Sequence, residues 1–186
     1  MKTSALLIAL VLGAAAAPAL PQQLQTAGSE IAFTSKQMGV PVDGKFRKFE
    51  ARISFDPKKP EAATIAFDVD LASVSFGSAE VEAEVVKPDW FDTRKFPQAS
   101  FKSTAVKAAG PGKFEVAGQL TIKGASRNVI VPVTLTQAGA ATTATGAFAL
   151  KRLDYRIGDG DWKDTSMVAD EVQVRFKFAL AGLAAL

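Results

Sequence analysis

The sequence contains no histidine and no cysteine in its 186 residues. Without histidine there is no imidazole to act as a general base, to complete a Ser-His-Asp triad or to ligate a metal. Without cysteine there is no thiol nucleophile, no disulfide and no thiolate for a zinc site. P-loop and GxGxxG motifs are also absent. We therefore expect neither a catalytic centre of these kinds nor a bound cofactor or metal.

Concentrated positive charge is missing as well. The chain has 22 Lys and Arg residues against 19 Asp and Glu residues, and its formal net charge is +3. The basic residues are scattered, whereas nucleic-acid-binding domains gather them into a patch or stripe. Nucleic acid is therefore not an expected partner.

One apolar run stands out, at the N-terminus. Lys2 precedes a run of apolar and small residues from Ala5 to Ala17, and Ala17-Pro18-Ala19 fits a small-x-small cleavage site. The run is shorter than the roughly 20 residues that a membrane-spanning helix needs. We predict a signal peptide over residues 1–19, followed by one domain over 20–186 in the periplasm or outside the cell. An uncleaved membrane anchor is the alternative.

Beyond that run, apolar and polar residues alternate. Near the C-terminus, for example, Val172, Val174 and Phe176 alternate with Gln173 and Arg175. Such a period of two predicts strands with one apolar and one wet face. Eight strands are predicted, over residues 29–37, 45–56, 62–73, 99–107, 113–123, 128–137, 143–154 and 170–181.

Short turn segments separate most of these strands, as in Val42-Asp43-Gly44 and Ala138-Gly139-Ala140. Short loops imply an antiparallel meander, and eight strands with one apolar face can close into a barrel. An open two-sheet sandwich is the alternative. The fold class is therefore all-β and antiparallel, with an eight-stranded barrel as the preferred architecture.

The connection between the third and fourth strands breaks this pattern. Residues 78–87 have helical spacing, with Ser78 as the N-cap. Aromatic residues follow at Trp90, Phe91 and Phe96. They either plug one end of the barrel, or gate ligand entry and make transient contact with a membrane surface, where aromatic rings are favoured.

Carboxylates are the remaining catalytic candidates. A pair for glycoside hydrolysis could be assembled from Asp68, Asp70, Glu80 and Glu84. Alternation places Asp68 and Asp70 on the solvated face, which disfavours a hydrolase. The acidic stretch over residues 158–164 lacks the later Gly of a calcium-binding loop and the Glu at its twelfth position, so it predicts a turn.

Several segments carry a family resemblance. They are Val42-Asp43-Gly44-Lys45-Phe46, Asp89-Trp90-Phe91-Asp92 with the following residues to Thr104, and Leu120-Thr121-Ile122-Lys123-Gly124. In order and spacing they resemble the YceI-like family of polyisoprenoid-binding proteins. The resemblance implies a lipocalin-like barrel in an exported carrier that holds a long isoprenoid, such as a polyprenyl lipid or a quinone tail.

An isoprenoid ligand would require an apolar interior. The chain has 13 Phe but one Tyr, so nearly all its aromatic area lacks a polar group. Alternation alone favours a solid core, whereas the resemblance favours a tunnel lined by Phe49, Ile53, Phe67, Val69, Phe101, Leu120, Val133, Phe148, Val174 and Phe176. A solid core would instead suit an envelope protein-binding or inhibitory module.

A head group would need polar partners at the mouth of such a tunnel. Arg152, together with Arg94 or Arg127, could bind a phosphate or quinone oxygen there. A buried ion pair between Arg152 and Asp154 is an equally good structural interpretation. The sequence does not indicate an oligomeric state.

Overall fold

A computed structural model describes residues 22–186, so the predicted signal peptide lies outside the described residues. That part of the chain forms ten strands and one short helix, α1 (Ala79–Val85). The strands are β1 (Gln23–Gln37), β2 (Val40–Phe46), β3 (Phe49–Ser54), β4 (Thr64–Asp70), β5 (Val74–Ser75), β6 (Gln98–Gly110), β7 (Lys113–Ile122), β8 (Ala125–Ala138), β9 (Ala141–Lys151) and β10 (Glu171–Ala181). Within residues 22–186 no helix is long and apolar enough to cross a membrane.

Within residues 22–186 the strands form one antiparallel sheet in the order β3-β4-β6-β7-β8-β9-β10-β1-β2-β5. The sheet curls around a common apolar interior, and its apolar residues alternate with outward polar ones. The all-β antiparallel prediction is confirmed. The open sandwich is wrong, because the strands do not divide into two sheets.

The structure has ten strands where eight are predicted, because the segment around residue 45 folds differently from the prediction. Val42-Asp43-Gly44 lies inside β2, and the chain turns earlier, at Met38 and Gly39, where φ is 49° and 80°. The predicted strand 45–56 is broken between Phe46 and Phe49. The additional strand β5 is a two-residue ladder beside Lys45 and Phe46.

The two ends of the barrel differ in construction. At one end, called the base, short turns join β6 to β7 and β8 to β9, and β1 begins and β10 ends. At the other, called the upper end, the long connections 76–97 and 152–170 cross the barrel. Phe55 and Phe114 meet edge to face at 5.0 Å in the base, where a cluster of buried residues fills the interior.

The edge strands of the sheet are β3 and the short β5. No ladder pairs β3 with β1 within residues 22–186, and we call the junction between these two strands the seam. At the base, the Gln22 side chain takes the place of a strand partner: Oε1 accepts from Phe55 N–H at 2.8 Å, and Nε2 donates to Phe55 O at 2.5 Å. Farther up, Lys48 N–H donates to Ser73 Oγ at 3.0 Å. Side-chain hydrogen bonds thus hold the ends of β3 to Gln22 and to the segment that precedes β5.

Helix α1 begins after Ser78, as predicted, but the Ser78 side chain makes no capping hydrogen bond. Glu82 fastens the helix instead, because its Oε1 accepts from Phe76 N–H at 2.9 Å and from Ser75 Oγ at 3.0 Å. These two hydrogen bonds, the one from Phe76 foremost, hold the pKa of Glu82 below its usual value.

Arg152 anchors the connection 152–170 to the upper end. Its side chain is buried, with 2% of its surface exposed, and all five N–H donors of the guanidinium are used. The acceptors are backbone carbonyls: Nε donates to Ala169 (3.1 Å), Nη1 to Ile157 (2.9 Å) and Gly158 (3.1 Å), and Nη2 to Trp162 (2.6 Å) and Val168 (2.7 Å). The alternative of a buried ion pair with Asp154 is not found within residues 22–186: the guanidinium bonds backbone carbonyls, and Asp154 is exposed.

Replacing Arg152 by methionine should therefore destabilise the fold strongly. Arg152→Met keeps an unbranched side chain but leaves enclosed carbonyls without donors, so we expect the free energy of unfolding to fall by at least about 3 kcal/mol. Urea unfolding measures it. The control is Arg127→Met, an exposed side chain that bonds the carbonyl of the preceding residue and should change stability by less than about 0.5 kcal/mol. Equal effects of the two substitutions would contradict this role.

Candidate functional site

The interior of the barrel contains a cavity of about 530 Å³. This volume lies within the range of roughly 300–1,000 Å³ typical of small-molecule sites. Eleven of the 13 phenylalanines line it, which shows that the Phe-rich composition serves the interior. They are Phe33, Phe46, Phe55, Phe67, Phe76, Phe91, Phe101, Phe114, Phe148, Phe176 and Phe178.

The exposure of the inward side chains agrees with a hollow interior. Ile53, Phe67 and Val133 point inward but are only half-buried, because they border open space. Toward the base, Val106 and Phe114 are buried at 3% and 6% exposure. The barrel is thus packed at its base and open above it, and the solid-core interpretation is wrong.

Nine of the ten residues predicted to form a tunnel line this cavity: Ile53, Phe67, Val69, Phe101, Leu120, Val133, Phe148, Val174 and Phe176. Phe49 does not line it. As the first residue of β3, it lies at the seam, where its ring contacts Phe178 with centroids 5.9 Å apart. Contact of these side chains with a ligand stays a prediction.

The aromatic connection covers the upper end of the cavity. Trp90 and Phe91 are half-buried and line the cavity, where Trp90 lies 5.3 Å from Trp162 and Phe91 lies 6.1 Å from Phe46. Phe96 lies outside it, packed on Gly124 in the turn between β7 and β8. Phe96 therefore covers this turn and does not line the cavity.

Arginine does not supply the polar contact that the sequence suggested. Arg152 borders the cavity, but backbone carbonyls occupy all of its donors. Arg94 and Arg127 are exposed and do not line the cavity. In this arrangement Arg152 has no free donor for a phosphate or quinone oxygen, and its contact with a ligand stays a prediction.

Trp90 presents a different polar group. Its Nε1–H is enclosed and has no hydrogen-bond partner within residues 22–186. Thr142 Oγ1 shares this condition but does not line the cavity. An enclosed donor without a partner costs about 1–3 kcal/mol, so Trp90 is the lining residue whose donor a ligand oxygen could satisfy.

A buried lysine fastens the turn that Phe96 covers. Lys123 is 6% exposed, and its Nζ donates to Arg156 O at 2.7 Å and lies 3.9 Å from Asp159. Burial lowers the pKa of Lys123, an effect that the Asp159 carboxylate partly opposes. Lys123 does not line the cavity, so its role is to hold the turn against the connection 152–170.

The carboxylates do not converge inside the barrel. Asp68 pairs with Arg52 at 2.5 Å on the outer face, and Asp70 Oδ1 accepts from Ala72 N–H at 3.0 Å. Glu80 and Glu84 border the cavity at its upper end, where Glu84 is paired with Lys87. Asp164 Oδ1 accepts from Ser166 N–H at 2.9 Å in a turn.

At its upper end the cavity is lined by residues of α1, by residues of β1 and β2 near the turn that joins them, and by Val168, which pairs with Gln37. Exposed apolar residues lie on or beside these same segments: Met38 (66% exposed), Val40 (64%), Val81 (39%) and Met167 (42%). We call these four residues the mouth rim. They are four of the six exposed large apolar residues in the described part of the chain. Sequence periodicity missed them, because they lie at a strand end, in loops and on a short helix.

Comparisons with known proteins agree with this architecture. Burkholderia cenocepacia BcnA has a similar structure, with a TM-score of 0.82 and 43% identity over 86% of this chain and 99% of that one. A domain from Saccharophagus degradans, described as polyisoprenoid-binding and implicated in plant cell wall breakdown, superposes with a TM-score of 0.70. That alignment covers 88% of this chain and 99% of the other at 17% identity, which shows a shared fold.

Curated relatives match over a shorter region. The UPF0312 protein of Pseudomonas putida (strain W619) is 35% identical over 98 residues, which is 53% of this chain and 51% of that protein. The match thus spans about half the length of these relatives. Residues 22–180, nearly all of the described barrel, match the YceI-like domain. The chain belongs to the YceI-like family.

Proposed function

We propose that this protein is an exported carrier that binds a long isoprenoid, either a polyprenyl lipid or a quinone tail, inside its barrel. The observation that carries the proposal is the apolar cavity of about 530 Å³ between the packed base and the mouth rim. The predicted signal peptide over residues 1–19 supports a location in the periplasm or outside the cell. A binding function requires no catalytic group.

The chemistry of the lining suits such a ligand. An isoprenoid tail offers no hydrogen bonds, so its affinity must come from leaving water, at about 0.8 kcal/mol for each buried CH₂ group. The polyisoprenoid-binding description of the Saccharophagus degradans neighbour supports the same ligand class. A hydrolase has no comparable support, because Asp68 faces outward and the Asp70 carboxylate accepts a hydrogen bond from Ala72 N–H.

Uptake of prenylquinones tests the proposal, because the chain carries its own reporters. Its two tryptophans, Trp90 and Trp162, both line the cavity, so a bound quinone should quench their fluorescence. We expect the dissociation constant to fall at least about tenfold for each added isoprene unit until the tail fills the cavity.

The control is the same quinone ring without a tail, which should not bind measurably. Equal affinity for the tailless ring and the long-tailed quinones would contradict an isoprenoid site. Absence of quenching at every tail length, with lipid extraction finding no bound quinone, would contradict it as well.

We also propose that Trp90 Nε1–H donates to an oxygen at the polar end of the ligand. The donor is enclosed beside the cavity and lacks a partner among the described residues, so a ligand acceptor would remove the cost of leaving it unpaired.

Trp90→Phe should then raise the dissociation constant of a long-tailed prenylquinone about fivefold or more. Binding of a polyisoprenoid hydrocarbon of equal length, which has no oxygen, should stay within about twofold. Both constants are measured by displacement of a bound fluorescent apolar dye. Equal weakening for the two ligands would assign Trp90 a packing role.

The mouth rim supports a further part of the proposal, transient contact with a membrane surface. A water-insoluble tail must leave a bilayer before it enters the cavity, and apolar residues around the opening shorten its exposure to water. The chain places Met38 beside Met167, where Met38 N–H donates to Met167 O at 2.8 Å. Flexible methionines suit an irregular acyl surface.

The double variant Met38→Ser, Val40→Ser should slow the transfer of a prenylquinone from phosphatidylcholine vesicles at least about tenfold, because two apolar contacts with the bilayer are lost. Affinity for quinone added without vesicles should be unchanged. The control is Ile130→Ser, which removes an equally exposed apolar residue (66%) on the outer face of β8. Equal slowing by the control would contradict docking through the rim.

A further inference from the structure

Three wall positions of the barrel carry glycine where alternation calls for an inward apolar side chain. They are Gly44 in β2, Gly118 in β7 and Gly146 in β9. In each strand the residues two positions away line the cavity, as Val42 and Phe46 do on either side of Gly44. Glycine weakens a strand, because it loses more backbone conformational entropy on folding than other residues and has no side chain to pack. Its presence at these positions therefore needs a physical reason.

Backbone conformation is not the reason, because none of the three has a positive φ. At each of them a phenylalanine ring from the neighbouring strand occupies the space of the missing side chain. A Cβ atom would lie 2.8 Å from Phe33 Cε2 at Gly44, 2.5 Å from Phe101 Cε2 at Gly118 and 2.7 Å from Phe176 Cε1 at Gly146. All three rings line the cavity. The glycines thus let large rings lie flat along the wall.

Gly44 is the position where an added Cβ would clash with a ring but not with the backbone of the neighbouring strand. At Gly118 and Gly146 a carbonyl oxygen of the neighbouring strand would also lie 2.5 Å from the added Cβ. At Gly44 the three nearest atoms all belong to the Phe33 ring. A methyl group there is therefore opposed by one movable side chain.

The neighbours of Phe33 limit where its ring could move. Phe46 and Phe76 lie on it with centroids 5.5 and 5.4 Å away. Val74 and Val85 belong to the same buried cluster. The unfilled direction is the cavity, which Phe33 borders. A ring displaced from Gly44 would accordingly enter the cavity.

We infer that Gly44 and Phe33 together set the width of the cavity near its mouth, and thereby select how bulky a tail it admits. The inference rests on the proposed function, because it concerns the same cavity. A methyl-branched isoprenoid chain is wider than an unbranched alkyl chain, so a narrower passage should reject the isoprenoid first.

The experiment compares wild type with Gly44→Ala, Phe33→Leu and the double variant. The probes are a prenylquinone and a quinone with an unbranched tail of the same carbon number, and Lys45→Ala is an outward-facing control beside Gly44. Gly44→Ala should raise the dissociation constant of the prenylquinone at least about tenfold, and that of the unbranched quinone less than about threefold. The double variant should regain wild-type binding, because a leucine side chain in place of the Phe33 ring is shorter and leaves room for the methyl group.

A crystal structure of the Gly44→Ala variant decides the inference independently of any ligand. We expect the Phe33 ring inside the cavity; a ring still on the wall, with the cavity unchanged, would overturn the inference. Equal loss of both quinones without rescue in the double variant would overturn it too. Failure of wild type to bind either quinone counts against the proposed function alone. If Gly44→Ala does not fold, Phe33→Leu should by itself favour wider tails, and unchanged selectivity would refute the inference.

Discussion

The width of the barrel is the constraint on which the rest of this structure depends. A closed sheet of about eight strands encloses an interior that side chains can just fill, or that can hold one small ligand. In this barrel, the positions of the large aromatic rings decide whether the interior is filled or hollow. At the base, Phe55 and Phe114 meet across the interior and close it. Above them, Phe33 lies against the wall at Gly44, and a cavity of about 530 Å³ persists.

The upper end solves a different problem, because long connections must cross an apolar cavity without losing their backbone hydrogen bonds. Arg152 meets this requirement with five donors to carbonyls of the connection 152–170. Glu82 does the same for α1 by accepting from backbone N–H groups. Charged side chains therefore hold the connections in place here. The cavity lining is mostly apolar, and besides Trp90 and Arg152 its polar members are Ser35, Gln37, Glu80 and Glu84.

Alternation predicted much of this fold, because a one-faced sheet imposes a period of two on its sequence. It failed at Gly44, where a glycine that accommodates the Phe33 ring resembles a turn residue. It failed at Phe49, which has the correct parity but lies at the seam. Alternation also cannot predict that all five N–H donors of Arg152 are used, because their acceptors are backbone carbonyls, which leave no signature in the sequence. Alternation does not predict the hollow interior either, because the same inward residues could fill a core or line a cavity.

Native mass spectrometry of the protein isolated from its own cells under non-denaturing conditions tests the central claim most directly. If the interior holds an isoprenoid, the folded protein should carry an added mass equal to one polyprenyl lipid or prenylquinone. That mass should be lost on denaturation and be recovered in the organic extract. A folded protein with the mass of the polypeptide alone, or a bound amphiphile without an isoprenoid chain, would contradict the claim.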